Sequence, residues 1–294
     1  MLRAAVLRLP FLAMLVLVSF VGAHLLTATA PGDAAYESRA LGREAYAAER
    51  ARRGLDRSAA ERLRERLTRA ARLDFGTSSR FGLPVLPLVA DRAGNTLLAG
   101  SLALTCALAL GLPAGVASAR LRSRHVRALI GVVSLVIVSV PSLVAALLLV
   151  VALARTDMPA LVVAVIALAV PAAALIERLQ AAAFRDVAGS SFVVAARARG
   201  IPERRAAWRH AWPLSLPAVI GVTSLIASQL VSGALAVELV TGWPGLGRLT
   251  YDALVFRDAD LAAACVAAAA ALVGLAAIVS DVVLAALDPR VSAT

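Results

Sequence analysis

Lysine does not occur in this chain, so all 30 basic side chains are arginine, against 19 acids and a net charge of +11. Such a balance can mark a nucleic-acid partner. Aromatics make up only 4% of residues, however, and no basic domain interleaved with them is present, so nucleic acid is excluded as a partner. Only two cysteines occur, Cys106 and Cys265, both inside apolar runs. They read as small buried hydrophobes, which excludes a disulfide framework or a cysteine metal site. The three histidines, His24, His125 and His210, show no metal-ligand spacing. No nucleophile, base and orienting residue form a set, so no catalytic residue is expected. The G-x-x-x-x-G-K-[ST] phosphate cradle is absent, so the chain does not bind ATP by that route.

Apolar length is abundant. Hydrophobic residues make up 60% of the chain and mean hydropathy is +0.82. About 20 apolar residues cross a bilayer core of about 30 Å. Six runs qualify: 9–30, 96–119, 128–154, 159–177, 214–240 and 261–286. An all-α integral membrane protein with six transmembrane helices follows. Ala28-Thr29-Ala30 resembles a signal-peptide cleavage site, but the run before it is longer than a signal core of about 7–15 residues. An uncleaved first helix is therefore expected.

Arginine excess in short loops marks the cytoplasm. The 120–127 loop carries four Arg and no acid, and the 178–213 region carries seven Arg. The 155–158 loop balances one Arg with one Asp, and the 241–260 loop sets two Arg against three Asp. The two basic regions are expected to be cytoplasmic, as are both termini. Residues 31–95 then form a long extracytoplasmic loop, whose length exempts it from the charge rule. Within it, Ser58-Ala59-Ala60-Glu61 reads as a capping box, and Leu55, Leu63 and Leu67 follow at helical spacing. The spacing predicts an amphipathic helix over 58–72. The chain thus divides into a first helix (1–30), the external loop (31–95) and a five-helix core (96–290) containing a charged insert at 186–213.

The insert has its own local logic. Ser190 or Ser191 is placed to cap a short helix running to Arg199. Gly200 suits a left-handed stop. Pro202 fits the first turn of a second helix whose dipole Glu203 complements. Pro213 and Pro217 are expected to end that helix and start the next span. Ala195, Ala196 and Ala198 are small enough for another backbone to approach, while Arg197, Arg199, Arg204, Arg205 and Arg209 offer donors to carboxylates. A docking element and an ordinary loop made basic by topology both fit these features.

Ala195-Ala196, three residues, Gly200, nine residues, then His210-Ala211-Trp212-Pro213 resembles the "EAA" loop of bacterial ABC importer permeases, E-A-A-x3-G-x9-I-x-L-P. Val194 stands at the Glu position and His210 at the Ile position, departures similar to those of the dipeptide/oligopeptide/nickel branch. Further islands resemble that branch in the same order: Pro31-Gly32-Asp33, Leu73 to Ser78 (LDFGTS), Asn95-Thr96-Leu97, Gly242 to Leu249 (GWPGLGRL) and Leu287-Asp288-Pro289-Arg290. The long external loop resembles the first of the two permeases in such systems.

The resemblance implies a type I importer permease fold with six transmembrane helices in the bacterial inner membrane. It also implies a second permease subunit, with a heterodimer expected, two cytoplasmic ATP-binding subunits and an extracytoplasmic substrate-binding protein. ATP and Mg would be used by the partner ATPase, with no cofactor held by this chain. The implied coupling residues are Ala195, Ala196, Arg197, Ala198, Arg199, Gly200, Glu203, Arg204, Arg205 and His210. Peptides are the implied cargo, with nickel chelates or glutathione as alternatives. A stand-alone secondary transporter is disfavoured by the absence of repeats and midplane ion-coupling charges.

Polar residues inside spans face either a pathway or a neighbouring helix. Ser134, Ser139, Pro141 and Ser142 lie within the third run, and Ser224, Ser228, Gln229 and Ser232 within the fifth. Ser139, Ser142, Ser228, Gln229 and Ser232 are the pore-lining candidates. Pro113 and Pro141 are expected to kink their helices. Glu238 is expected to be solvated at the outer edge, Asp281 to cap or pair with an arginine, and Trp243 to anchor at the interface.

Overall fold

The structure is a computed structural model and describes residues 2–29, 42–52 and 58–287. Its elements in chain order are α1 (Leu2–Thr29), α2 (Arg43–Arg52), α3 (Ala59–Ala70), α4 (Val85–Arg120), α5 (Arg124–Ser139), α6 (Ser142–Ala152), α7 (Ala160–Ala188), α8 (Ser191–Ala198), α9 (Glu203–Ala206), a π-helical turn (Ala207–Ala211), α10 (Trp212–Thr241), α11 (Leu246–Val255) and α12 (Ala259–Leu287). Among the described residues no strand forms beyond an isolated bridge between Thr77 and Pro84. Four helices are long and apolar enough to cross a membrane, and six spans result if each of two bent helix pairs counts as one. The islands Pro31-Gly32-Asp33 and Asp288-Pro289-Arg290, and Leu55, lie outside the described residues.

The expected helix in the long loop is present as α3. Ser58 Oγ accepts from the Glu61 amide at 3.2 Å and Glu61 Oε2 accepts from the Ser58 amide at 3.0 Å, a complete capping box. Two helices were not expected from the apolar pattern, α2 and α11, because both are short and lie in charged loops.

The third run differs from the single kinked span expected for it. It breaks into α5 and α6 at an angle of 96°. Proline supplies no amide hydrogen and pushes the preceding residue out of the helical region. Val140 accordingly sits at φ −79°, ψ 119°, and Pro141 becomes the N-cap of α6. Pro113, by contrast, lies inside the continuous α4.

The chain divides into two compact units. The first comprises residues 1–9, 97–243 and 273–294. Its core is unusually fine-grained: Ala103, Ala107, Ala146, Ala164, Ala167 and Ala234 pack with Ile176, Ile226 and Leu230. Small residues let membrane helices approach closely, which supplies the dispersion contact that hydrophobic exclusion cannot supply in lipid. A close seam runs between α4 and α7. A Cβ on Gly111 would lie 2.7 Å from the Ala173 carbonyl oxygen, and one on Gly115 would lie 2.6 Å from that of Glu177. Gly111 and Gly115 form a G-x-x-x-G pair on one helix face. Beside them Glu177, only 8% exposed, accepts from Ser118 Oγ at 2.5 Å and from Ser134 Oγ at 2.9 Å. That carboxylate therefore ties α4, α5 and α7 together. Arg8 pairs with Asp281, as expected for that acid. Glu238 is 1% exposed and so is buried in this unit, contrary to the solvated position expected. Trp243 is packed against the alanine-rich core, because the turn at Gly242 (φ +75°) folds the chain back after α10.

The second unit comprises residues 10–96 and 244–272. Phe20, Ala263 and Ala267 form its apolar centre, flanked by Leu67 and Phe75. Arg66 pairs with Asp260 at 2.7 Å and approaches His24 Nδ1 at 3.3 Å. Asp258 is 3% exposed and caps α12 through the Leu261 amide at 3.2 Å. Its other oxygen accepts from Ser78 Oγ at 2.6 Å and from the Arg80 amide at 3.2 Å. Asn95 Nδ2 and Arg92 Nη1 both donate to the Pro244 carbonyl, at 2.9 and 3.2 Å, while Thr96 Oγ1 accepts from the Leu246 amide at 2.8 Å. Asp74, Ser78, Asn95, Thr96, Pro244 and Leu246, from three of the sequence islands, thus bond to partners within one unit.

Candidate functional site

The charged insert is built on α8, α9 and the π-helical turn. Helix α8 starts at Ser191, with Ser190 in the N-cap position. The Ser190 side chain makes no capping hydrogen bond, so the expected serine cap is positional only. The other end is closed more firmly. The Gly200 amide donates to the Arg197 carbonyl at 2.9 Å and the Ile201 amide to that of Ala196 at 3.3 Å, the paired bonds of a Schellman stop. Gly200 has φ +83°, the left-handed conformation expected of it.

Pro202 is the N-cap of α9 rather than a residue of its first turn. The expectation that Pro213 and Pro217 end this helix is corrected: α9, the π-helical turn and α10 follow one another without a gap. Pro213 lies in the first turn of α10, directly after the π-helical turn, where the hydrogen-bond ladder changes register. The segments 203–223 and 225–241 meet at 43°. Gly221 lies just before that bend, and Thr223 returns its hydroxyl to the Val219 carbonyl at 3.1 Å, a bond that favours helix bending.

The insert has an inner and an outer face. Val193, Ala207 and Ala211 are buried against Val116 of α4 and Phe184 of α7. Ala196 also turns inward at 8% exposed, so it is not among the small residues open to an approaching backbone. Ala195, Arg197, Ala198, Arg199, Gly200, Glu203, Arg204 and Arg205 are exposed, and His210 is half-buried. Among the described residues, none of the five insert arginines forms a salt bridge.

Three apolar side chains share this outer face and were missed in the sequence: Phe192 at 57% exposed, Val194 at 52% and Trp208 at 42%. Phe192 stacks edge-on with His210 at 5.8 Å, and Trp208 lies 4.9 Å from Trp212. No spacing marked them, since Trp208 has Trp212 and Phe192 has Ala196 four residues on. Exposed aromatics beside unpaired arginines are the composition of a protein-binding surface.

The five pore candidates are not gathered on one helix face. The 96° break puts Ser139 at the end of α5 and Ser142 at the start of α6. Ser139 is exposed and donates to its own helix at Leu135 (2.8 Å). Ser142 is half-buried beside α10, where a Cβ on Gly233 would meet its Oγ at 2.9 Å. Gln229 and Ser232 are exposed along α10, with Ser228 half-buried next to them. Ser134 is spent on Glu177.

A family model described as "Binding-protein-dependent transport system inner membrane component" matches residues 111–293. The oligopeptide transport system permease protein OppB of Mycobacterium bovis is 38% identical over 126 residues, 43% of this chain and 39% of that protein. The matched region thus spans about two-fifths of that relative's length. The oligopeptide transport system permease protein AppB of Bacillus subtilis is 28% identical over 74% of this chain and 76% of its own. The glutathione transport system permease protein GsiC of Escherichia coli is 27% identical over 96% of this chain and 95% of its own. A solved structure, the inward-facing MetNI methionine ABC transporter, superposes with a TM-score of 0.60 at 19% identity, over 68% of this chain and 96% of its own. That likeness shows a shared fold over 68% of this chain.

Proposed function

The chain belongs to the family of binding-protein-dependent transport system inner membrane components, and from that premise we propose that it is a permease subunit of an ATP-driven peptide importer. It would form half of the translocation path with a second permease subunit, a heterodimer being the expected form. Two cytoplasmic ATP-binding subunits, which use ATP and Mg, would supply the energy, and an extracytoplasmic binding protein would deliver the cargo. This chain then holds no cofactor and does no catalysis. The basic loops and both termini lie on the cytoplasmic side in this reading.

The observation that carries the proposal is the outer face of the insert. It sets arginines that form no salt bridge among the described residues beside Phe192 and Trp208, and its second half, from Glu203, continues without a gap into α10. A push on α8 and α9 would therefore reach the span that bears Ser228, Gln229 and Ser232, a rigid-body switch biased by nucleotide. With Ser139 and Ser142, these are the residues assigned to the pathway.

A single cysteine at Ala198, in a background lacking Cys106 and Cys265, tests the docking. It is expected to crosslink to the ATP-binding subunit. Crosslinks only from the 241–260 loop of an assembled complex would reject the assignment. Peptides are the preferred cargo, since relatives named for oligopeptide transport occur in both Mycobacterium and Bacillus. Glutathione is the second reading, favoured by the length of the match to its permease. Uptake of labelled peptide and labelled glutathione by the same vesicles separates the two.

A further inference from the structure

Near the insert, but distinct from it, a cavity of about 460 Å³ lies between the end of α4, the first turns of α5 and the last turns of α7. Its volume falls in the range of about 300–1,000 Å³ typical of small-molecule sites. Three arginines line it, Arg127, Arg178 and Arg185, with a single acid, Glu177. Each Glu177 oxygen accepts a serine hydroxyl. Among the described residues no carboxylate pairs with any of the three. Two are held in place by backbone carbonyls: Arg178 Nη1 donates to Gly131 at 3.1 Å and Arg127 Nη1 to Leu121 at 2.7 Å. A guanidinium has five donors, so each keeps several for a ligand.

The rest of the wall is apolar, with Val132 and Leu135 among its residues. These two are 57% and 51% exposed, and Leu129 and Val136 beside them are 63% and 59% exposed. Spaced three and four residues apart, all four share one face of α5. The site is therefore cationic at one end and continues as a greasy strip along a membrane helix.

We propose that this cavity holds the phosphate of an anionic phospholipid, with its acyl chain along Leu129, Val132, Leu135 and Val136. Planar arginine forks match phosphate oxygens, and basic pockets between membrane helices are suited to lipid headgroups. A free phosphate would use the same arginines but gains nothing from the apolar strip. The inference rests only on the chain lying in a bilayer, not on the importer reading.

The test is native mass spectrometry of the full chain released from nanodiscs of mixed phosphatidylglycerol and phosphatidylcholine. Phosphatidylglycerol is expected to be retained preferentially, and Arg185→Gln and Arg178→Gln are each expected to lower its retention by about fivefold, the value of one arginine at a lipid surface. Arg122→Gln, exposed in the same basic loop but outside the cavity, is the control for general surface attraction and is expected to lower retention clearly less. Arg178 also holds the Gly131 carbonyl, so Arg185→Gln, at an exposed position, separates loss of the site from loss of fold. Equal retention of the two lipids, or an equal loss with Arg122→Gln, overturns the proposal. Displacement of the lipid by millimolar inorganic phosphate would assign the site to a soluble anion and overturn the lipid source.

Discussion

The α4–α7 seam and the charged insert each depend on a glycine, for opposite reasons. A Cβ on Gly115 would lie 2.6 Å from both the Glu177 carbonyl oxygen and Gln180 Cβ, whereas a Cβ on Gly200 would meet nothing within 4 Å. Gly115 is required by its neighbours. Gly200 is required by its own backbone, at φ +83°. The seam is interlocked and its Glu177 carboxylate is satisfied, although buried Gln180 Oε1 has no hydrogen-bond partner among the described residues. The insert is packed only on its inner face, and its outer arginines and aromatics are exposed, as the proposed docking requires. Structural and functional demand can therefore be separated by what surrounds a residue, even where the residue type is the same.

The sharpest way to break this contrast is Gly115→Leu. Overpacking a core costs about 1–3 kcal/mol and sometimes more. Here the obstacle is a main-chain oxygen, which cannot rotate aside, so the upper end of that range or beyond is expected. The variant should lose most of its monodisperse yield in detergent, measured by size-exclusion chromatography against the unmodified chain. Wild-type yield and melting temperature would mean that α4 and α7 do not approach as closely as described.

Gly200→Ala should behave differently. A left-handed residue with a side chain costs roughly 1–2 kcal/mol, and open space adds no packing term. Leu73 and Arg257 already adopt φ +59° and +56° in this chain, so the conformation is accessible to residues with side chains. The variant should insert and purify with a modest drop in melting temperature. ATP-driven transport should fall further than that drop accounts for, because the new methyl group projects into the docking face. Full transport at reduced stability would show that the partner does not approach Gly200.

Much of this architecture was legible from residue patterns. The apolar runs located the four long helices and the two bent helix pairs, the Ser58–Glu61 box located α3, and Gly200 located the end of α8, since each is a local rule read over a few residues. The corner at Pro141 was read as a kink because the apolar run continues unbroken across it, and hydropathy carries no direction. The Ser118–Glu177–Ser134 node was invisible because its bonds span 59 and 43 residues, and no local spacing encodes them. The G-x-x-x-G pair at 111–115 could have been found, since its spacing alone predicts a close helix approach. For the insert, the charges were read and the aromatics were not. Phe192 and Trp208 matter through their exposure, which a sequence does not state.

The smallest expected effect lies in a third kind of site, neither interlocked nor waiting for a partner. Asp74 closes the turn after α3: Arg69 Nε donates to its Oδ2 at 3.0 Å and the Gly76 amide donates to its Oδ1 at 2.9 Å. The Arg69 hydrogen bond, followed by that from Gly76, holds the Asp74 carboxyl below its usual 3.8. A carboxyl depressed in the folded state stabilises the fold above its unfolded value and loses that contribution as pH falls through the folded one. The turn should thus be unaffected from neutral pH down to about 4 and should loosen below the usual carboxylate range near 3.9. Hydrogen exchange at the Gly76 amide, taken as protection relative to the intrinsic rate at each pH, reads it, with protection falling below that point in the wild type. Asp74→Asn keeps an Oδ1 acceptor but not the titrating charge, so its protection should show no pH step. A step that persists in Asp74→Asn would place the titration elsewhere. Because the pair is solvent-exposed, salt should weaken the effect, whereas the seam at Gly115 should not respond to salt at all.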